Sequence, residues 1–125
     1  MSHFVINTRL PSVNDYVDVC RRNKYQAAQF KRDVEEVIEW AIRGALATGT
    51  LEATSKPCKV KFEWHEKTMK RDVDNIAGAK KFILDAMQTM GIIVNDNQKY
   101  VKGFTDDFIK DDKDFVRVEL VEVSE

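Results

Sequence analysis

The chain has 125 residues, of which 43% are hydrophobic and 33% are charged, and its formal net charge is −1. This length suits one domain with a modest core, and the sequence contains no apolar run of about 18 residues that would predict a membrane span. Two cysteines (Cys20 and Cys58) and two distant histidines (His3 and His65) are too few for a disulfide scaffold or a four-ligand zinc site. The N-terminus lacks the pattern of a secretory signal, so we expect a cytoplasmic protein.

The net charge hides an uneven distribution of basic and acidic residues. Residues 17–32 hold five basic residues and one acid, and residues 55–81 hold eight basic residues and four acids. Residues 105–125 reverse the balance, with eight acids and three basic residues. A local basic surface is what a polyanion needs, so a nucleic-acid partner is compatible with the composition. The alternative is that these charges are solvated faces of helices and strands.

The first half of the chain predicts a strand, a loop and a long helix. Apolar and polar residues alternate over Phe4–Leu10, which predicts a strand that Pro11 stops. Turn-forming residues predict a loop over Val13–Asn23. A helix is predicted over Tyr25–Thr48, ending near Gly49, because apolar residues recur at spacings of three and four. This stripe consists of Ala27, Phe30, Val34, Val37, Ile38, Ala41, Ile42 and Ala45.

The second half predicts a strand, a helix and two further strands. Strict alternation over Cys58–His65 indicates a strand with one buried face. From about Asp74 the period becomes 3.6, which predicts an amphipathic helix closed at Gly91. The apolar run Ile92–Val94 leads into a turn, and strands are expected at about Tyr100–Ile109 and Phe115–Val123. The elements together predict an α+β fold in a single domain covering residues 1–125, a mixed β-sheet with two main amphipathic helices packed on one face.

Asp72 and Asp74 lie between the alternating strand and the second helix. In a locally extended stretch, residues two apart point the same way, so this pair would bring two carboxylates together. Such a pair repels itself unless a cation lies between, and Mg²⁺ needs only one or two carboxylates beside its waters. The alternative for Asp74 is a helix N-cap, where a carboxylate accepts from backbone N–H groups.

Asp96 and Lys81 are the further candidates for this site. Asp96 lies in the turn after the Ile92–Val94 run, and it becomes a third carboxylate if that run pairs back along the sheet. It could equally be a simple turn residue, like its neighbours Asn95 and Asn97. Lys81 follows Asp74 by about two helical turns and could point its ammonium at the acids. Its alternative is a solvated lysine paired with Asp85 at i+4, and Lys80, about 100° around the helix, is the weaker candidate.

The sequence motifs resemble those of the RusA family of Holliday-junction resolvases, which is common in phages and prophages. The likeness rests on R-D-V-D-N at Arg71–Asn75, D-A-M at Asp85–Met87, G-I-I-V-N-D at Gly91–Asp96 and L-P-S-V-N-D-Y at Leu10–Tyr16. It covers nearly the whole chain. One departure is at Gly78, four residues after the second aspartate, where the best-known members carry their essential lysine. Another is at Asn95, where other members carry an acid.

The resemblance implies an α+β homodimer that cuts two strands of a four-way DNA junction by metal-assisted phosphodiester hydrolysis. It carries the catalytic and metal-binding carboxylates over to Asp72, Asp74 and Asp96, with Mg²⁺ or Mn²⁺ as the cofactor. Counting back from Asp85 carries the lysine over to Lys81. The strands Phe4–Leu10 and Phe115–Val123 are candidates for a shared sheet edge in the dimer.

The basic residues near these motifs are expected to follow the DNA backbone and fix its orientation. They are Arg21, Arg22, Lys24, Lys67, Lys70, Arg71 and Lys80. We expect branched DNA as the partner, with neither a membrane nor an organic cofactor. Two other functions stay open from the sequence: a module that binds branched DNA without cutting it, and a flap or branched-DNA nuclease without strict junction specificity.

Overall fold

The computed structural model describes residues 2–123 and contains four strands and four helices. The strands are β1 (Ser2–Ile6), β2 (Cys58–Glu66), β3 (Val101–Lys110) and β4 (Phe115–Glu122). The helices are α1 (Val13–Arg22), α2 (Lys24–Thr48), α3 (Val73–Ala77) and α4 (Lys80–Thr89). The predicted α+β class in a single domain with a mixed sheet is confirmed. None of the helices in residues 2–123 combines the length and apolar character that a membrane crossing needs.

The sheet has the strand order β1-β4-β2-β3. Strand β4 is antiparallel to both β1 and β2, whereas β2 and β3 are parallel and joined through α3 and α4. The turn between β3 and β4 carries the chain across the end of β2, where the Asp111 N–H donates to the Glu66 carbonyl. The edges are therefore β1 and β3. The predicted sheet edge at Phe115–Val123 is wrong, because β4 has a neighbour on each side.

The core lies between one face of the sheet and the helices α2 and α4. Alternate residues of β2 are buried, including Val60, Phe62 and Trp64, and the residues between them are more exposed, as the alternation predicted. The predicted stripe of α2 is confirmed at Ala27, Val34, Ile38, Ile42 and Ala45, which are all buried. Phe30 and Ala41 are partly buried against the core, and Val37 is the exception, since 44% of it is exposed. The helix ends at Gly49, whose φ of 82° is the left-handed conformation that favours glycine.

The predicted loop over Val13–Asn23 is wrong, because most of that segment forms α1. Ser12 caps the helix: its hydroxyl accepts from the Asp15 N–H, and the Asp15 carboxylate accepts from the Ser12 N–H. This reciprocal capping box satisfies backbone donors at the helix start and outweighs the turn propensity of Asn14 and Asp15. The strand before it is shorter than predicted and ends at Ile6.

The predicted single helix from Asp74 is also wrong, because it divides into α3 and α4. At the junction, the Ala79 N–H donates to Ile76 and the Lys81 N–H donates to Gly78, which are the short-range bonds of a tighter turn. A Cβ atom at Gly78 would lie 1.8 Å from Val13 Cγ2, so α1 packs directly on this junction. Helix α4 ends at Thr89 with Met90 as its C-cap, and Gly91 follows in the left-handed conformation, with a φ of 74°, close to the predicted end.

Candidate active site

Asp72 and Asp74 mark the start of α3. The N-cap is Asp72, so the alternative that made Asp74 the N-cap is wrong; Asp72 has an extended backbone, and its side chain accepts no capping hydrogen bond within the described chain. Asp74 lies in the first helical turn, where its Oδ1 accepts from the Asn75 N–H at 3.0 Å. The local stretch is therefore not extended throughout, which corrects the basis of the predicted pairing. Both residues are exposed.

Asp96 lies in the segment between α4 and β3. This segment is not a strand: the Ile92 N–H donates to the Met87 carbonyl, and the Thr54 N–H donates to the Ile92 carbonyl. Asn95 and Asn97 act as the predicted turn residues, since each side-chain oxygen accepts from a backbone N–H two residues on. Asp96 does something different, because its Oδ2 lies 3.4 Å from Lys81 Nζ. The loop thus folds back to the first turn of α4.

Lys81 also contacts a second carboxylate, that of Asp85. Its Nζ donates to Asp85 Oδ1 at 2.9 Å, so the i+4 pairing and the approach to Asp96 occur together. The hydrogen bond to Asp85 is the largest cause that raises the pKa of Lys81, and Asp96 adds to it. Lys81 therefore carries a firmly retained positive charge, although 66% of its side chain is exposed. The exposure of the charged ammonium leaves it accessible to a phosphate, while the carboxylates of Asp85 and Asp96 already offset its charge.

Asp85 connects this site to α2. Its Oδ2 lies 3.4 Å from Lys31 Nζ, which in turn lies 3.8 Å from Glu35 Oε2. Glu35 Oε2 is buried and has no hydrogen-bond partner in the described chain, and burial is the largest cause that raises the pKa of Glu35. A chain of alternating charges therefore runs from Glu35 through Lys31, Asp85 and Lys81 to Asp96. The sequence analysis did not identify Lys31 or Glu35; their i, i+4 spacing was the only local signal.

Lys80 points in another direction and contacts the sheet. Its Nζ donates to Asp106 Oδ2 at 2.6 Å and lies over the rings of Phe62 and Phe104. Asp106 also accepts from the Trp64 indole N–H at 2.9 Å. With 21% of its side chain exposed, Lys80 is held in a structural contact between α4 and β3. Of the two candidate lysines, Lys81 is the one that contacts a candidate carboxylate, that of Asp96.

The donor chemistry of the three aspartates fits a hard cation, because all of their ligand atoms are carboxylate oxygens. The three carboxylates are too far apart to surround one ion as a complete set of ligands. Within residues 2–123, no three His, Cys, Asp or Glu side chains are close enough together to form a group that could hold a metal ion. Asp96 is paired with Lys81, while Asp72 and Asp74 are exposed at the start of α3.

The predicted DNA contacts fall into two groups. Arg71 donates to the Glu66 carboxylate and to the Leu10 carbonyl, and burial lowers its pKa, so it is a structural link like Lys80. The other five are exposed. They are Arg21 and Arg22 in the last turn of α1, Lys24 at the start of α2, and Lys67 and Lys70 in the loop before α3.

Comparisons with known proteins identified no relative of this chain. A scan against protein-family models found no match, and a search of curated proteins found none either.

Proposed function

We propose that this protein is a Mg²⁺-dependent, structure-selective endodeoxyribonuclease that resolves four-way DNA junctions by paired nicks. The observation that carries the proposal is the 3.4 Å contact between Lys81 Nζ and Asp96 Oδ2. It joins the loop after α4 to the helix that follows Asp72 and Asp74. Three carboxylates and an ammonium from two separated segments are the groups that metal-assisted phosphodiester hydrolysis needs.

Asp72, Asp74 and Asp96 are the residues that would hold Mg²⁺ or Mn²⁺, and their side chains would have to move closer together than in the described structure, where they form no such group. Asp72 has both carboxylate oxygens free of a capping bond, and Asp74 has Oδ2 in addition to the Oδ1 that accepts from Asn75. When bound, the cation supplies the acidity that makes water a nucleophile at neutral pH and offsets negative charge on the phosphate.

Lys81 contributes a positive charge at the reacting phosphate. The hydrogen bond from Lys81 to Asp85 fixes the direction of the ammonium, so that it is already oriented when a phosphate arrives. A preoriented charge costs no reorganisation during the reaction and stabilises negative charge as it develops. This role agrees with the resemblance to the RusA family, which carries the essential lysine over to this position and not to Gly78.

Branched DNA is the proposed substrate and a homodimer the proposed assembly. Two copies related by a twofold axis present two acidic sites, which is the symmetry that paired nicks in a four-way junction require. A cytoplasmic location and a role in DNA recombination and repair, in a phage or prophage context, go with this proposal.

The test is cleavage of a synthetic four-way junction, compared with splayed and duplex DNA of the same sequence. We expect paired nicks in the junction with Mg²⁺ or Mn²⁺ and none after chelation. Asp74→Asn should abolish cutting and leave junction binding measurable, because it removes charge at nearly constant shape. Asp107→Asn, an exposed aspartate on β3, is the matched control and should cut normally.

The outcomes separate the three functions that the sequence left open. Equal cutting of flaps and junctions would replace the resolvase by a general branched-DNA nuclease. Junction binding without cutting in either cation would replace it by a non-cleaving module. Full activity of Asp74→Asn would remove that carboxylate from the mechanism.

A further inference from the structure

We propose that an open groove at one end of the sheet binds the sugar–phosphate backbone of a DNA strand. The groove has a volume of about 490 Å³ and lies where β1 and β2 end and β4 begins. Its walls come from three separate segments of the chain. The lining residues are Asn7, Thr8, Arg9, Lys67, Lys113, Asp114 and Phe115. The proposal rests on the proposed function only for the identity of the polyanion.

The charges in this groove favour an anion. Arg9, Lys67 and Lys113 are exposed, and none of the three forms an ion pair with another residue in the described chain. The one carboxylate in the lining, that of Asp114, already accepts from the Lys67 backbone N–H at 2.7 Å. The lining therefore holds three positive charges and one negative charge, and the carboxylate that bears the negative charge already accepts a hydrogen bond. Phosphate contacts are made by this kind of surface.

Asp111, a second acid close to the groove, also has a hydrogen-bond partner within the fold. Asp111 lies in the same turn as Lys113, and its Oδ2 is 2.9 Å from His65 Nδ1. The His65 ring stacks on Phe115 with 4.0 Å between centroids, which holds the turn against the start of β4. The side chain of Asp111 is thus held by His65, whereas Lys113 and Asp114 are the charged residues of this turn that line the groove.

Two chain connections link the groove to the acidic segment of the candidate active site. Arg9 is followed by Leu10, whose carbonyl accepts from Arg71 at 3.2 Å, and Arg71 immediately precedes Asp72. Arg9, Leu10 and Arg71 also line one small cavity beside the groove. On the other side, the chain runs from Lys67 to Asp72 in five residues. A strand lying in the groove would therefore lead toward Asp72.

The polar groups in the groove match a backbone better than a small ligand. Pockets for small molecules are mostly apolar concavities, whereas this groove is open and offers amide, hydroxyl and cationic groups. Backbone contacts of this type fix the orientation of DNA without reading its sequence. Because Arg71 and Lys80 are held by carboxylates within the fold, part of the expected backbone contact must come from other cations. Arg9 and Lys113, which the sequence analysis did not single out, are suitably placed.

The test is junction binding by the full chain in a chelating buffer, where no cutting occurs, over a range of salt concentrations. Replacing both Arg9→Gln and Lys113→Gln should lower the affinity about tenfold or more. It should also reduce the slope of log affinity against log salt by about 1.8, which is about 0.9 for each lost phosphate contact. The matched control is Lys59→Gln with Lys102→Gln, two exposed lysines at the opposite end of the sheet. This control should keep the wild-type affinity and slope, and circular dichroism verifies that both variants are folded.

The groove proposal fails if the Arg9 and Lys113 variant binds with the wild-type affinity and slope, or if the control loses as much. This failure is distinct from failure of the nuclease proposal. If the wild type cuts junctions and the groove variant binds normally, only the groove is wrong. If the wild type cuts nothing but the groove variant still loses affinity, only the nuclease proposal is wrong.

Discussion

Asp85 accepts a hydrogen bond from Lys81 at 2.9 Å, and its other oxygen lies 3.4 Å from the ammonium of Lys31. One carboxylate on α4 therefore lies between a lysine of its own helix and a lysine of α2. The side chain of Asp85 is only 18% exposed, so its position is set by packing and not by solvent. We interpret Asp85 as the residue that positions Lys81 beside Asp96.

Asp85→Asn should slow single-turnover cleavage of the junction about tenfold and leave junction affinity unchanged. The substitution keeps the shape but removes the charge that raises the pKa of Lys81 and directs its ammonium. Rapid-quench kinetics at saturating protein measure the rate, and anisotropy measures the affinity. Asp106→Asn is the control, since it releases Lys80 and not Lys81 and should leave the rate intact. Equal losses in the two variants would mean that Asp85 has a structural role only.

Lys81→Met should tighten the binding of Mn²⁺ to the DNA-free protein by several-fold. Asp96 Oδ2 contacts the ammonium of Lys81, so a cation that needs this oxygen has to compete with a charge already beside it. Isothermal titration calorimetry measures the affinity directly. Lys31→Met is the control, because it removes an equal charge that contacts Asp85 and Glu35 instead of Asp96. Weaker binding in Lys81→Met, or the same gain in both variants, would contradict competition for Asp96.

The parts of the fold that depend on local periodicity could be predicted from the sequence. The alternation in β2 and the stripe of α2 each show a repeat that matches the geometry of one element packed on one core. The capping box of Ser12 and Asp15 was also visible in the sequence and would have predicted α1. There the turn propensity of Asn14 was given too much weight.

The division between α3 and α4 could not be predicted from the local sequence. At the junction, Gly78 packs against Val13, which lies 65 positions earlier in the chain. The same reasoning applies to the candidate site. The pairing of Lys81 with Asp85 follows from helical spacing, whereas the approach of Lys31 depends on how α2 packs on α4. In both cases, tertiary packing brings together residues that are distant in the chain, and no sequence repeat encodes such a contact.

Gly78→Ala should lower the free energy of unfolding by about 1–3 kcal/mol, the usual cost of overpacking. The added methyl would lie 1.8 Å from Val13 Cγ2, so α1 would have to shift away from the α3–α4 junction. Urea denaturation measures the change. Adding Val13→Ala should recover part of the loss, because it removes the atom that clashes.

Gly44→Ala is the matched control for this substitution. Gly44 lies within α2. Apart from its chain neighbours and the backbone of its own helix, no described atom is within 4 Å of a Cβ atom placed there. Replacing a helical glycine by alanine should therefore stabilise the protein by about 0.5–1 kcal/mol. A neutral result at Gly78, or no recovery with Val13→Ala, would show that the junction does not need a glycine.

Glu35→Gln should stabilise the protein at neutral pH and not in acid. Burial of the Glu35 carboxylate raises its pKa in the folded state, and its Oε2 has no hydrogen-bond partner within residues 2–123. A carboxyl with a raised folded-state pKa favours folding below its unfolded pKa of about 4.3, and this contribution is lost as the pH rises through the folded-state pKa. At pH 7 the wild type therefore bears the cost of a buried charge that glutamine avoids.

The expected gain from Glu35→Gln is present at pH 7, where burial opposes the charged carboxylate, and it should approach zero near pH 4. Urea denaturation at the two pH values measures it. Glu36→Gln, which changes an exposed glutamate on the next position of α2, should give no comparable gain. Lys31 lowers the pKa of Glu35, so Lys31→Met should enlarge the benefit of Glu35→Gln. A gain that is equal at both pH values would mean that shape, and not charge, limits stability at this position.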